Sequence, residues 1–249
     1  MTRIDEIGPD LFRLSTFVPE IDMQFNQFLV RDEEPLLFHT GLKAHFQSTF
    51  EAIKKVIRPD TLRWIAFSHF EADECGALAE WQQVAPASTA ACSVVAKMVS
   101  VDDSAALRPS RGLMDGDLIK TGRYRFRWLQ TPHVPHCWEA GLLFEETNRT
   151  LFCSDLFHHS GDVEATTSAD VVGRFRDKLL KEQGSPFAHY IPWTTRTEQI
   201  LRRLAALQPS TFAVMHGSSY TGDGETLVNE LAVMLREIDA AQETTAAVG

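Results

Sequence analysis

The stretch LRWIAFSHFEADEC, residues 62–75, passes from an apolar run directly into a cluster of histidine and carboxylate side chains. The apolar run predicts a buried strand, and the residues after His69 predict a helix by their composition and period. Polar groups at a strand-to-helix turn are a frequent location of binding sites in α/β proteins. In an extended stretch, period-two alternation points His69, Glu71 and Asp73 to one side, so these three side chains can face one metal site.

Three further apolar segments end in the same way, each with side chains that bind metals. They are FRWLQTPHVPHCW at 126–138, with His133 and His136; TLFCSD at 150–155, with Asp155; and TFAVMHG at 211–217, with His216. A simpler explanation of residues 69–74 is a core histidine beside helix-capping acids, which are favoured in first turns. That explanation does not account for the other three strand ends, so we expect one shared site.

Composition excludes several classes of protein. The chain has 249 residues with 44% hydrophobic side chains, enough for a sizeable core, which argues against disorder. Its formal net charge of −10 argues against nucleic acid and anionic membranes as partners, because both require concentrated positive charge. No secretory signal or membrane-spanning stretch is visible, and four scattered cysteines without a CxxC pair are typical of reduced thiols. We therefore expect a cytoplasmic protein.

The order of predicted elements indicates two successive halves, each with strands followed by helices. Strands are predicted at 11–17, 23–30, 36–41, 62–69 and 211–217, hairpins around 121–122 and 147–148, and helices at 45–57, 70–84, 169–184, 197–208 and 225–242. No repeat or linker composition interrupts them. The simplest architecture is a single domain over residues 1–249, with mixed β-sheets in the middle and helices outside.

The polar strand ends also resemble a known family. The pattern HxExD at 69–73, a later histidine in the context TPxxPH at 131–136, the strand-ending Asp155 and the late pair His216-Gly217 resemble the diiron branch of the metallo-β-lactamase fold. The similarity is greatest to stand-alone oxygen-binding diiron proteins and to the N-terminal domain of flavodiiron oxygen/nitric oxide reductases. It implies an α/β (α+β) architecture, namely a four-layer αββα sandwich of two mixed β-sheets flanked by helices.

The resemblance implies a ligand set for two metal ions. One metal would take His69, Glu71 and His136, the other would take Asp73 and His216, and Asp155 would bridge the two. The flavodiiron enzymes carry a further flavodoxin domain that binds FMN; because this chain ends about one helix after His216, we expect no flavodoxin domain and no FMN in it. A homodimer is also expected by analogy with those enzymes.

Two residues are candidates for catalytic roles around the metals. Hydrolases of the fold carry HxHxDH, whereas this chain has Glu71 in place of the second histidine and Glu74 in place of the last. Whether Glu74 coordinates a metal stays open at this point. Tyr220, in the segment HGSSYTGDG, is the second candidate, with simple packing as its alternative role.

The number of carboxylates bears on the chemistry. Three or four carboxylates, rather than the two of a dizinc hydrolase, lower the Lewis acidity of the metal pair and weaken activation of a bound water. The same donors favour iron or manganese over zinc. We therefore expect two metal ions, iron first, with zinc or manganese as alternatives, and redox chemistry or O₂ binding in preference to hydrolysis.

The functional hypothesis is a non-haem diiron protein that binds O₂ or NO. It would act as an oxygen sensor or carrier, or as an oxygen reductase that receives electrons from a separate protein. The alternative is a metal-dependent hydrolase of an ester, lactone, thioester or phosphodiester. A third hypothesis is a signalling module that reports O₂ or redox state to a partner protein without turnover, so whether the chain is an enzyme stays open.

Other histidines are given supporting or structural roles. His39 ends the segment LLFHTG at 36–41, where it is expected to hydrogen-bond a metal ligand without binding the metal. The sequence alone does not separate His133 from His136, and the choice of His136 comes from the resemblance. His158 and His159 follow Asp155 in a polar loop, where we expect a solvated pair, with a place for one of them at the site as the minor alternative.

Overall fold

The computed structural model describes the backbone of residues 1–246 and the side chains of residues 1–242. Two seven-stranded β-sheets occupy the middle of the molecule. The first sheet runs in chain order through β1 (Arg3–Gly8), β2 (Leu11–Val18), β3 (Met23–Val30), β4 (Leu36–Phe38), β5 (Trp64–Ala66), β6 (Thr89–Ser93) and β7 (Arg111–Leu113). Its strands are antiparallel from β1 to β4 and parallel from β4 to β7, so the sheet is mixed.

The second sheet is also mixed and is built from the later part of the chain. Its strands are β8 (Leu118–Lys120), β9 (Arg125–Gln130), β10 (Gly141–Glu145), β11 (Thr150–Ser154), β12 (Thr166–Thr167), β13 (Thr211–Val214) and β14 (Ser219–Thr221). The spatial order is β12-β14-β13-β11-β10-β9-β8. The pairs β11–β13 and β12–β14 are parallel and the others are antiparallel.

Helices cover the outer face of each sheet. They are α1 (Phe46–Ile53), α2 (Ala72–Cys75), α3 (Leu78–Val84), α4 (Val94–Ala96), α5 (Asp102–Ser104), α6 (Val171–Glu182), α7 (Thr197–Ala205) and α8 (Gly224–Ala246). A π-helical turn at Lys97–Val101 joins α4 to α5. Within the described residues, no helix combines the length and the apolar composition needed to cross a bilayer.

Three separate apolar cores define the four layers. One core lies between the sheets and includes Phe28 and Phe38 of the first sheet with Trp128 and Phe152 of the second. A second core packs the first sheet against α1 and α3, and a third packs the other sheet against α6, α7 and α8. The predicted αββα arrangement of two mixed sheets flanked by helices is therefore the observed one.

Alternation along the central strands explains why both faces of each sheet are apolar. In β3, Phe28 and Val30 point to the core between the sheets, whereas Leu29 points to the helices. In β11, Phe152 points between the sheets, while Leu151 and Cys153 point to the opposite helices. Because successive side chains alternate across a strand, strands buried on both faces become almost continuous apolar runs.

The structure corrects some predicted boundaries. The strand predicted at 62–69 is regular only over Trp64–Ala66, and the helix predicted at 70–84 is divided into α2 and α3. The division occurs because the amide of Ala77 donates to the carbonyl of Gly41 and to Thr40 Oγ1, at 3.1 Å each, so it does not continue the helix of α2. The short strands β1, β7, β12 and β14 were not predicted, since their sequences are too brief or too polar for a period to show.

Both sheets present the carboxyl ends of parallel strands at one end of the sandwich. β4 and β5 of the first sheet end there, as do β9, β11 and β13 of the second. Hydrogen bonds join the sheets at this end. The amide of Asn26 donates to the carbonyl of Met215 at 3.0 Å, and the amide of Gly141 donates to the carbonyl of Ser68 at 2.9 Å. The polar strand ends seen in the sequence thus meet in one place.

Candidate metal centre

Six side chains proposed from the sequence as metal ligands converge at this end of the sandwich. One group surrounds His136 Nε2, which lies 2.9 Å from His69 Nε2 and 3.1 Å from Glu71 Oε1. The other group surrounds His216 Nε2, which lies 3.2 Å from Asp73 Oδ2. Neutral imidazole and carboxylate groups at these separations are a metal-binding donor set.

Asp155 lies between the two groups and contacts both. Its Oδ1 atom is 3.1 Å from His216 Nε2, whereas its Oδ2 atom is 3.5 Å from His136 Nε2 and 3.6 Å from His69 Nε2. Each oxygen of one buried carboxylate therefore faces a different group. This placement is what the expected bridging role requires.

Glu74 lies inside the same cluster and is the least satisfied of its carboxylates. The side chain is 1% exposed, and among the described residues neither of its oxygens accepts a hydrogen bond. Its Oε2 atom is 3.7 Å from His69 Nε2, and its donor atoms also group with Asp73 and His216. A buried carboxylate without donors is costly unless a cation compensates it, so Glu74 fits a metal ion better than a purely structural role.

Charge at the cluster shifts the pKa values in opposite directions. Burial raises the pKa of Glu74 well above its ordinary value, and the neighbouring Asp73 and Asp155 carboxylates raise it further. Burial opposes ionisation of Asp155 as well, but contacts with His216 outweigh it and hold that pKa below its usual range. For His216, burial is outweighed by hydrogen bonds to Asp155 and Asp73, which raise its pKa to about 10. The metal-free cluster therefore stores a proton that a bound cation would displace.

A buried hydrogen-bond chain orients His69. Ser68 Oγ lies 2.9 Å from His69 Nδ1, 3.0 Å from His39 Nε2 and 2.8 Å from Ser154 Oγ. His39 is fully buried, and burial lowers its pKa to about 3, so it is neutral. The Nε2 atom of His69 is left to face the cluster, as expected of a metal-binding imidazole whose other nitrogen is held by the protein.

His216 is oriented by the first sheet. Its Nδ1–H donates to the carbonyl of Gln24 at 2.9 Å, which turns Nε2 toward Asp73 and Asp155. The loop after His216 is held by Asn26 Nδ2, which donates to the carbonyl of Gly217 at 2.8 Å, and by the buried Arg13, which donates to the same carbonyl at 3.0 Å. Polar residues of β2 and β3 thus position a ligand of the second sheet.

The structure separates His136 from His133. His133 is exposed and has a positive φ of 63°, whereas His136 is largely buried and reaches the cluster. The backbone between them is fixed by the amide of His133, which donates to the carbonyl of Cys137 at 2.9 Å. Of the two histidines, His136 therefore lies at the cluster and His133 does not, and the role of His136 as a ligand stays a prediction.

A cavity of about 640 Å³ opens onto the cluster. Five of the six proposed ligands, all except His69, line it together with apolar side chains and a polar pair; the apolar side chains are Met23, Phe25, Leu42 and Phe187, and the pair is His158 and Tyr190. His158 Nδ1 lies 3.2 Å from the Tyr190 hydroxyl, and the His158 ring packs 4.6 Å from that of His216. Burial raises the pKa of Tyr190 above its ordinary value, so its hydroxyl stays protonated.

The solvated pair predicted for His158 and His159 is wrong. Both are buried, and His159 Nε2 accepts the amide of Ser218 at 2.9 Å. The loop after Asp155 folds inward because both sheets close over it, which local polarity does not reveal. Tyr220 lies elsewhere: its ring packs 6.0 Å from Phe212, and it is not among the described residues that line the cavity. Tyr190, which the sequence analysis missed, carries no local signal in its irregular loop.

The donor set fits two metal ions on the chemistry of this chain alone. Four carboxylates and three imidazoles meet in a space where the Glu74 oxygens have no donor, and Asp155 faces both groups. Oxygen-rich sites with imidazole suit iron and manganese. These seven imidazoles and carboxylates are His69, Glu71, Asp73, Glu74, His136, Asp155 and His216, and the Cys137 thiol lies beside three of them.

Known proteins resemble this chain in sequence or in fold. The type A flavoprotein fprA of Rhodobacter capsulatus is 26% identical over 204 residues, which are 78% of this chain and 44% of that protein. The rubredoxin oxygen:oxidoreductase of Desulfovibrio gigas has a TM-score of 0.78 at 15% identity, over 97% of this chain and 62% of that chain. A fragment of a diflavin flavoprotein from Nostoc has a TM-score of 0.77 at 15% identity, over 97% of this chain and 98% of the fragment.

These similarities confirm the resemblance stated from the sequence. The αββα sandwich is the metallo-β-lactamase fold that the flavodiiron structures share. The chain spans less than half the length of the curated relatives that it matches. The family described as ODP family beta lactamase matches residues 23–217, more than half of the chain. The chain therefore belongs to the ODP family of beta-lactamases.

Proposed function

We propose that this chain is a non-haem diiron protein that binds O₂ or NO in the cavity above its carboxylate-rich cluster and takes part in their reduction. The observation that carries the proposal is Asp155, whose two oxygens face different donor groups. One iron would be held by His69, Glu71 and His136. The other iron would be held by Asp73 and His216, and Asp155 would contact both irons. Two ferrous ions so held would supply the electrons that O₂ or NO accepts.

Glu74 strengthens the proposal because it adds a fourth carboxylate to the pair. Its buried, donor-free oxygens lie within reach of both donor groups. Added anionic oxygen disfavours the Lewis-acid activation of water on which a dizinc hydrolase depends. It also offsets the extra positive charge of an oxidised metal pair, so the cluster suits a redox cycle.

The residues of the cavity would handle the diatomic ligand. Met23, Phe25, Leu42 and Phe187 present apolar surface that an uncharged gas can contact. The Tyr190 hydroxyl, held by His158, is a protonated O–H group on the cavity wall and can donate a hydrogen bond to a reduced ligand.

Electrons must reach the cluster from a donor. The relatives are named flavoproteins and a rubredoxin oxygen:oxidoreductase, so a flavin or a rubredoxin-type protein is the donor class to test. An oxygen sensor or carrier would use the same cluster without continuous turnover. The two roles differ in whether NO or O₂ is consumed repeatedly when a reductant is supplied.

The experiment is anaerobic loading with ferrous iron, followed by metal analysis and by exposure to air or NO with a recorded visible spectrum. We expect two irons per chain and a new ligand-to-metal band. His136→Ala should lower the iron content, whereas His133→Asn, a change at the exposed histidine of the same loop, should leave it at two. Tight zinc, no spectral response and hydrolysis lost on chelation would contradict the proposal.

A metal-dependent hydrolase is the second candidate, favoured by the volume of the cavity. A space of about 640 Å³ is within the usual range for organic ligands and larger than a diatomic gas requires. Lys178 and Lys181 also line it; Lys178 is paired with Glu182 at 2.6 Å, so Lys181 is the cation that would attract an anionic ester or phosphodiester. Turnover of generic ester and phosphodiester substrates by the zinc-, manganese- and iron-loaded forms tests this candidate directly.

A further inference from the structure

Cys137 stands apart from the other three cysteines of the chain. Cys75, Cys92 and Cys153 are buried in apolar cores, whereas Cys137 is partly exposed and follows directly on His136. Its Sγ atom lies 3.6 Å from Glu71 Oε1. The donor atoms of His69, Glu71, His136 and Cys137 all lie within 4.8 Å of one another. The thiol is therefore part of a four-donor cluster and is not an isolated surface group.

The backbone holds this thiol in place. Cys137 has a positive φ of 58°, a conformation that few residues with a side chain adopt. Its carbonyl accepts hydrogen bonds from the amides of His133 at 2.9 Å and Ala140 at 3.2 Å. Glu139, also in this turn, accepts the amide of Phe70 at 2.9 Å and so ties the turn to the segment that carries Glu71.

We propose that the thiolate of Cys137 is a ligand of the metal ion held by His69, Glu71 and His136. The inference rests on the proposed dimetal site and adds a sulfur donor to it. Two nitrogen or oxygen donors at about 2.1 Å from one ion lie about 3.0–3.4 Å apart, and sulfur, at about 2.3 Å, lies slightly farther from its neighbours. The observed 3.1 Å from His136 Nε2 to Glu71 Oε1 and 3.6 Å from Cys137 Sγ to that oxygen match this spacing.

A buried carboxylate supports a cation beside His69, the imidazole that its group shares with the Cys137 group. Glu74 is 1% exposed, lacks any hydrogen-bond donor among the described residues and lies 3.7 Å from His69 Nε2. Coordination of Cys137 would form a metal–sulfur bond and release the thiol proton to solvent, with no change of oxidation state. The two metal positions would then differ, one with sulfur and one with oxygen and nitrogen only.

This difference has a chemical consequence. Thiolate is a soft donor that selects iron, cobalt or zinc over manganese, whereas carboxylates suit manganese as well. We therefore expect the Cys137 position to discriminate against manganese and the Asp73–His216 position to accept it. The thiolate also adds a negative charge to a pair that already has four carboxylates nearby.

The first experiment is anaerobic titration of the full chain with Co²⁺ while the near-ultraviolet and visible spectra are recorded. The unchanged protein should develop a thiolate-to-cobalt charge-transfer band, and Cys137→Ser should bind cobalt without it. His133→Asn is the matched control in the same loop and should keep the band. Cobalt binding with no such band in the unchanged protein would overturn the sulfur ligand and leave the dimetal site intact.

The second experiment measures alkylation of each cysteine by iodoacetamide with mass spectrometry. Cys137 should be labelled first in the metal-free chain, with the three buried cysteines as internal references. Cys137 is the one partly exposed cysteine of the four, and bound metal should slow its labelling by at least about tenfold, because coordination occupies the sulfur atom that iodoacetamide alkylates. An unchanged rate in a chain shown to hold two metals would overturn the inference alone. Failure of the unchanged chain to bind any metal would overturn it together with the proposed function.

Discussion

The acids at the two ends of the β-sandwich differ in the groups that their carboxylate oxygens contact. At the end opposite the metal cluster, Asp32 accepts hydrogen bonds from Thr121 Oγ1 at 2.8 Å and from the amides of Arg123 at 2.9 Å and Tyr124 at 3.2 Å. Glu145 there accepts two amides of its own turn. At the cluster end, Glu74 has no donor among the described residues, and Asp155 faces three imidazoles.

The comparison shows what distinguishes a structural acid from a metal ligand in this fold. An acid that has all its donors stabilises the chain by itself, as Asp10 does beside Arg123 and Arg31. An acid packed against other acids raises the free energy of the metal-free folded chain. This cost is offset only when a cation binds. The presence of hydrogen-bond donors, rather than burial, separates Asp32 from Glu74.

Removal of the shared ligand should have the largest effect. Asp155→Ala takes one donor from each metal position, so we expect affinity at both to fall by more than about 100-fold. Competitive titration with a chromogenic chelator measures it. Asp32→Asn, an acid of the opposite end, is the control and should keep both affinities. Loss of one metal alone would show that Asp155 does not bridge.

Removal of a satisfied acid should instead destabilise the fold. Asp32→Ala leaves the amide of Tyr124 and the hydroxyl of Thr121 without an acceptor, and we expect a loss of about 2 kcal/mol in the free energy of unfolding. Hydrogen bonds lower the pKa of Asp32 despite its burial, so its contribution exists above its ordinary pKa near 3.8 and disappears as pH falls through the lowered value. Urea unfolding at pH 7 and pH 3 tests both statements, and the metal content should not change.

Substitution of Glu74, which has no hydrogen-bond donor among the described residues, should instead raise the free energy of unfolding of the metal-free chain. Glu74→Gln removes a carboxyl group whose ionisation is opposed by burial and by Asp73, so we expect the metal-free chain to gain about 1–2 kcal/mol of stability while metal affinity falls. Burial raises the pKa of Glu74, so the gain should be absent below its ordinary pKa of 4.5 and should grow as pH rises toward the raised value. Urea unfolding with a chelator present measures it. Equal or lower stability of the variant at pH 8 would contradict this account of Glu74.

The smallest expected effect is a change in the number of protons that the chain releases when metal is loaded. His216 has a pKa raised to about 10 and is therefore protonated at pH 8 in the metal-free chain. A metal ion at His216 Nε2 must displace that proton, so loading should acidify a weakly buffered solution. An indicator dye should report about one proton fewer per chain for His216→Gln than for His133→Asn. Equal proton release from both variants would show that His216 does not exchange its proton for metal.

Much of the fold and of the candidate site could be predicted from the sequence, because the sequence patterns that indicate them are local. Apolar runs marked the central strands, and His69, Asp155 and His216 stood at their ends, where parallel strands place ligands on one edge. The inward fold of His158 was not predictable, since its burial comes from the closure of two sheets around a polar loop. Tyr190 was missed for a similar reason: it meets His158 across 32 residues of chain.

The sequence by itself determined the residue types and their order along the chain: buried strands, each followed by a histidine or an acid. Tertiary structure alone decided which of these groups are satisfied. Asp32 finds its donors on the hairpin turn of the other sheet, and Glu74 finds none among the described residues. The physical reason is that alternation along a strand specifies only the face of the sheet to which each side chain points. The hydrogen-bond partners of that side chain come from segments far away in the chain.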